Sequence, residues 1–133
     1  MTDRKWTEKL MGAMEALSDA KKVGKIRAVG VSCHSLAALR ATAENGWADV
    51  VMVRINYEGV NMDSSHKNVL SILSDLYESE TGIVGMKVLG VGKFASVATK
   101  AIDYVFSLNL FHAVTIGMMD KMMLKENIQI MGK

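Results

Sequence analysis

Four stretches of this chain run apolar, end in small or polar residues and give way to a helical pattern: VGVSCHS at 29–35, DVVMVRINYEG at 49–59, IVGMKVLGVG at 83–92 and AVTIGMMD at 113–120. Apolar runs of this kind mark strands buried on both faces, and their alternation with amphipathic helices marks βα units of a parallel sheet. In such sheets ligands gather at the C-terminal strand ends, which is where this chain has its unusual residues. A closed barrel of βα units takes eight of them and about 250 residues. With 133 residues and four units, the expected architecture is half of a barrel.

The punctuation between the runs supports this division. Apolar residues at Trp6, Leu10, Met14 and Leu17 predict one amphipathic helix over 6–22, closed near Gly24. A strand over about 27–31 follows, then Ser35 as an N-cap, a helix over 36–44 and a stop at Asn45-Gly46. The second strand is expected over 50–55, followed by a long polar loop over 56–65 and a helix over 66–78. The third strand is expected over 83–87, with a helix over 97–108 after it. The fourth strand spans 113–116 and a Met-rich helix spans 121–131. No linker or low-complexity tract interrupts the chain, so residues 1–133 are expected to form a single partial barrel without an internal boundary.

Composition narrows the function classes. Half of the residues are hydrophobic, enough to bury a core. Sixteen basic residues against fourteen acidic ones are scattered rather than gathered in a stripe, so neither nucleic acid nor an anionic membrane is an expected partner. No run is long and apolar enough to span a bilayer. The single cysteine, Cys33, leaves no disulfide framework and fits a reducing compartment, so a cytoplasmic location is expected. His34, His66 and His112 are too dispersed for metal-ligand spacing, and no metal is assigned.

The four strand ends, taken together, resemble the aldo/keto reductases. GKIRAVGVSCHSLAALRATAE is similar to the fifth strand and helix of that family, whose strand ends in a G-V-S-N pattern. DVVMVRINYEGVNMD resembles the sixth strand, particularly of a bacterial branch with R-I-N here. GIVGMKVLGVGKF resembles the seventh strand and its loop, and AVTIGMMDKMMLKENI the eighth, with its L-x-E-N signature. The resemblance implies the C-terminal half of a TIM barrel. It also implies reduction of carbonyls or oxidation of alcohols with a nicotinamide dinucleotide, NADP or NAD, without metal. The family's catalytic Tyr, Lys, Asp and His belong to the first four strands. Met1-Thr2-Asp3 resembles the stretch just beyond the last of them, so no catalytic residue is expected in this segment.

By the same resemblance, Ser32, Cys33 and His34 close the first strand at the nicotinamide carboxamide. Ser32 keeps the family's chemistry, whereas Cys33 replaces an Asn whose paired donor and acceptor a thiol lacks. Without the resemblance, this is a serine turn with a buried cysteine. Met52 stands where many members have a Gln for the carboxamide, and Met86 where many have a ring that stacks on the nicotinamide. Arg54 and Asn56 share the parity of Met52 and are substrate-pocket candidates. For Arg54 a structural ion pair with a carboxylate from outside the segment is the competing reading.

Lys87, Leu89, Gly90, Gly92 and Lys93 form the expected pyrophosphate loop, with glycines for close backbone approach and lysines for charge. Gly117 and Met118 open the next loop, whose helix is expected to offer N-terminal amides to the adenosine phosphate, and Asn127 fits a family Asn at adenine. Asp120 falls where NADPH-preferring members carry Arg, which puts NADP preference in question unless Lys121 or Lys125 substitutes. The final helix is expected to pack through Met119, Met122, Met123 and Ile128.

Three functions follow as alternatives. The first is the cofactor-binding half of an aldo/keto reductase-like oxidoreductase, inactive alone and completed by a complementary N-terminal half-barrel. The second is a non-enzymatic module that binds a dinucleotide or self-associates as a homodimer. An open inner face drawn from Val29, Val31, Met52, Val84, Met86 and Val114, with two unpaired sheet edges, favours association. An unrelated phosphate-binding barrel half is the third.

Overall fold

Parity along the strands decides which side of this sheet is buried. The computed structural model describes residues 1–132. Strands β1 (Gly30–Cys33), β2 (Val50–Arg54), β3 (Gly82–Met86) and β4 (Ala113–Thr115) form one parallel sheet in the order β1-β2-β3-β4. Val31, Cys33, Val51, Val53 and Ile83 are buried beneath the helices. Gly85 shares that face, where a β-carbon would press on Ile55, Val105 and Phe111. The alternate residues form the other face in two registered rows, Ser32–Met52–Val84–Ala113 and Arg54–Met86–Thr115. Four consecutive parallel strands with helices on one side are half of a TIM barrel.

The open face is less apolar than the sequence reading expected. Met52, Val84 and Met86 lie on it, but Val29 and Val31 are buried and Val114 packs against the main core on the helical side. The reason is parity, since Val31 pairs with the helix-facing Val51 and Val114 with Gly85. Strand β1 begins at Gly30 rather than at Arg27, because Val29 carbonyl accepts from both Asp49 and Val50 amides while Asp49 carboxylate takes the Val29 N–H at 2.8 Å. That clasp ends the loop and starts the ladder.

Two helices, rather than one, precede the sheet. Helix α1 (Trp6–Lys9) and helix α2 (Met11–Lys22) meet at Leu10, whose φ of −114° and ψ of 20° break the spiral. Trp6 explains the break. Its indole is 3% exposed, donates to the Ala38 carbonyl at 3.3 Å and meets Trp47 edge-on, which fixes α1 against the helix over Leu36–Asn45. Helix α2 buries no residue and is tied down at Trp47–Ser18 and Lys21–Asp49.

Helix α3 (Leu36–Asn45) starts as expected, with Ser35 accepting from the Ala38 amide, and stops at Gly46 in the left-handed region at φ 66°. Helix α4 (His66–Glu78) is capped by Ser65 and buries Val69, Ile72, Leu73 and Leu76. Helix α5 (Ala98–Ser107) buries Ala101, Ile102 and Val105. Helix α6 (Lys121–Met131) differs from expectation: Met119 is 89% exposed, and Met122 and Ile128 also face solvent. Met123, Asn127 and Ile130, three and four residues apart, form its inward side.

Candidate functional site

The C-terminal strand ends converge in one cluster on the open face. Ser32 Oγ lies 3.0 Å from His34 Nε2 and 3.5 Å from Met86 Sδ. His34 Nδ1 is 3.1 Å from Arg54 Nη2, and Arg54 Nη1 donates to the Asn61 carbonyl at 2.8 Å. Four expected site residues from three strands thus form one connected cluster. No carboxylate pairs with Arg54 among the described residues, and its Nε is buried without a partner. Burial chiefly, then the Met1 amine, Arg54 and Lys87, hold the His34 pKa below its ordinary value.

The main chain of β1 is engaged at the same point. The Met1 amine donates to the Ser32 carbonyl, and the His34 amide donates to the Met1 carbonyl. Residue 1 therefore lies in parallel register with Cys33 on the strand's outer edge, and Ser35 Oγ donates to the Thr2 carbonyl at 2.7 Å. This is where a preceding strand of a closed barrel would run.

Cys33 does not face the mouth. Its thiol is 2% exposed on the helical side, 3.2 Å from Thr42 Oγ1, and burial pushes its pKa up. Parity forces this, because its neighbours Ser32 and His34 take the open face. Asn56 is also withdrawn. It is fully enclosed, with Nδ2 donating to the carbonyls of Val60 and Lys87 and Oδ1 accepting from the Val60 amide at 2.8 Å. Lying two residues beyond Arg54, it is outside the pleat whose parity placed it in the substrate pocket. Its amide shapes the loop instead.

The glycine loop is built, but for packing as much as for approach. Lys87, Gly90, Val91 and Gly92 all take positive φ. The amides of Gly90, Gly92, Lys93 and Phe94 donate to loop carbonyls at Lys87, Leu89 and Gly90. Tyr57 lies 4.4 Å from the Phe94 ring, Lys100 sits over Tyr57, and Lys93 Nζ pairs with Glu58 at 2.7 Å. The loop is thus closed on itself and braced by the loop after β2. Lys87, exposed, makes no ion pair among the described residues; Leu89 is half-buried.

Gly117 and Met118 lie apart from this cluster, exposed at the end of β4. Asp120 caps α6, its carboxylate taking the Met123 amide at 2.8 Å. The helix N-terminus expected to receive a phosphate therefore already carries a negative group. Asn127 is turned onto the protein body, 9% exposed. Sequence reasoning missed three residues that organise the region. Phe94 fills the space beneath Gly90, Asp63 accepts the Leu36 amide on both carboxylate oxygens at 3.0 Å, and Asn61 anchors Arg54.

The profile of the aldo/keto reductase family matches residues 3–110. The chain belongs to the aldo/keto reductase family. The match spans α1 through α5 and stops before β4 and α6. No curated protein and no solved structure gives a significant match. Aldo/keto reductases are TIM-barrel oxidoreductases that use nicotinamide cofactors, and the four-stranded parallel sheet is half of that barrel. Among the described residues no helix is long and apolar enough to cross a membrane, and no three metal-ligating side chains converge.

Proposed function

We propose that this chain supplies the cofactor-binding half of an aldo/keto reductase-like oxidoreductase, with a nicotinamide dinucleotide lying across the ends of β1, β2 and β3. The observation that carries the reading is the Ser32–His34–Arg54–Met86 cluster, which gathers polar donors and a thioether on the open side of the sheet. When bound, the dinucleotide supplies or accepts the hydride. Ser32 would hold the carboxamide by its hydroxyl, Met52 and Met86 would pack against the ring, and Lys87 with the Gly90–Gly92 turn would face the pyrophosphate. Met118 and Gly117 would border the adenosine end.

The adenosine end fits NADP poorly. Asp120 places negative charge where a 2′-phosphate would sit, and Lys121 and Lys125 are the only nearby compensation along α6. NAD is therefore the preferred form. No proton donor to a carbonyl is assigned within this chain, so hydride transfer awaits a complementary N-terminal half-barrel, and the site of action is cytoplasmic.

Titration with NADH and NADPH, followed by a carbonyl-reduction assay, tests the reading. Dinucleotide binding without turnover is the expected result, and turnover at an ordinary enzymatic rate by the chain alone would refute the assignment of the acid elsewhere. Self-association is a second reading, favoured by the exposed Met119, Met122, Ile128 and Met131 and by the half-open strand face. Light scattering showing a monomer over a wide concentration range would count against it.

A further inference from the structure

The hydrogen bonds at the strand ends have a direction that chemistry fixes. A guanidinium only donates, so the 3.1 Å contact from Arg54 Nη2 makes His34 Nδ1 the acceptor. An imidazole whose Nδ1 accepts is neutral and carries its proton on Nε2. That nitrogen lies 3.0 Å from Ser32 Oγ, which therefore accepts from it. The Ser32 proton is left to point at Met86 Sδ, 3.5 Å away. A thioether is a weak acceptor, so an incoming oxygen displaces it at little cost. Arg54 cannot swing away freely, because Nη1 is held by the Asn61 carbonyl at 2.8 Å and Nε is buried.

We propose that Arg54 and His34 are positioning residues that lock Ser32 as a hydrogen-bond donor into the barrel mouth. The mouth then selects a ligand group presenting an oxygen acceptor, an amide carbonyl above all, and it loses that selectivity when His34 takes a second proton. The selectivity rests on the dinucleotide reading above, whereas the lock stands without it. Protonation leaves the Nε2–H in place but sets an Nδ1–H against the Arg54 N–H, donor against donor and charge against charge, which drives the ring off Arg54 and away from Ser32.

Among the described residues, the charges that act on the His34 pKa are all positive. The Met1 amine bound to the Ser32 carbonyl, Arg54 from β2 and Lys87 after β3 are all cationic. The one carboxylate bordering the same small cavity, Asp63, is already committed to the Leu36 amide. The depressed pKa of His34 agrees with this arrangement.

Nitrogen-15 NMR of histidine-labelled protein at about pH 7.5, with H34Q assigning the signal, reads the tautomer directly. The expected state is neutral with the proton on Nε2, shifting toward the other tautomer in R54M. An Nδ1-protonated ring in the wild-type chain would overturn the lock, as would a signal indifferent to R54M.

NADH fluorescence titrations at about pH 7.5 and about pH 5.5 test the consequence, with affinity expected to fall on acidification by up to about fivefold, the worth of one hydrogen bond, as His34 protonates. That loss should vanish in H34Q, and its survival there would overturn the coupling. Absence of NADH binding at either pH would instead defeat the dinucleotide reading, with the tautomer still deciding the lock.

Discussion

A side chain at Gly90 and the ring of Phe94 compete for the same space: a β-carbon at Gly90 would stand 2.5 Å from Phe94 Cε2. Gly90 also takes φ 56°, in the left-handed region. G90A therefore combines steric overlap with a strained backbone and is expected to cost about 2–4 kcal/mol. Gly92 has φ 92° but open space beside it, so G92A should cost about 1–2 kcal/mol. Urea denaturation of both variants measures the difference. Equal losses would show that Phe94 gives way and that backbone conformation alone decides.

Asn56 joins the loops after β2 and β3 through Val60 and Lys87. Truncation to Ala leaves the Val60 amide and carbonyl without their partner in an enclosed place. N56A is expected to lose about 2–3 kcal/mol of stability. Hydrogen exchange should show the loss concentrated in residues 56–62 and 87–94, and unchanged protection there would contradict the bracing role.

These two positions show how far the sequence could be read. The bounds of α4 and α6 were legible in the sequence, at 66–78 and 121–131. The break at Leu10 was not, since the stripe runs through it and only the burial of Trp6 against α3 interrupts the spiral. Parity brought Met52 and Arg54 to the open face, and the family resemblance brought Ser32. Parity failed at Asn56, where the strand has ended and the turn rather than the pleat sets direction. Gly90 was recognisable as a loop glycine, but no local pattern tells a glycine that admits a phosphate from one that admits Phe94. In α6, apolar residues occupy so many positions that the packed side was ambiguous.

Asp49 ties α2 to the start of the sheet by accepting from Lys21 and from the Val29 amide. Those two bonds, the Lys21 one first, hold its pKa below the ordinary carboxylate value. A carboxylate depressed in the fold binds its proton more readily when unfolded, so its contribution is present above the ordinary carboxylate pKa and is lost as pH falls through the lowered one. D49N should flatten the acid limb of stability against pH, with little change in slope above about pH 6. Denaturation curves collected across that range decide it. An acid limb identical to wild type would assign the sensitivity elsewhere.

Asp120 does two things at once, capping α6 through the Met123 amide and placing a negative charge at the helix N-terminus. Serine keeps the cap chemistry and removes the charge, so D120S should change stability by less than about 1 kcal/mol. The charge matters most to a ligand with a phosphate at that end, where D120S removes the repulsion. D120S is therefore expected to strengthen NADPH binding severalfold while leaving NADH nearly unchanged. Paired titrations of the two cofactors measure the ratio. If both tighten equally, the charge acts on the pyrophosphate they share, and the 2′-phosphate lies away from α6.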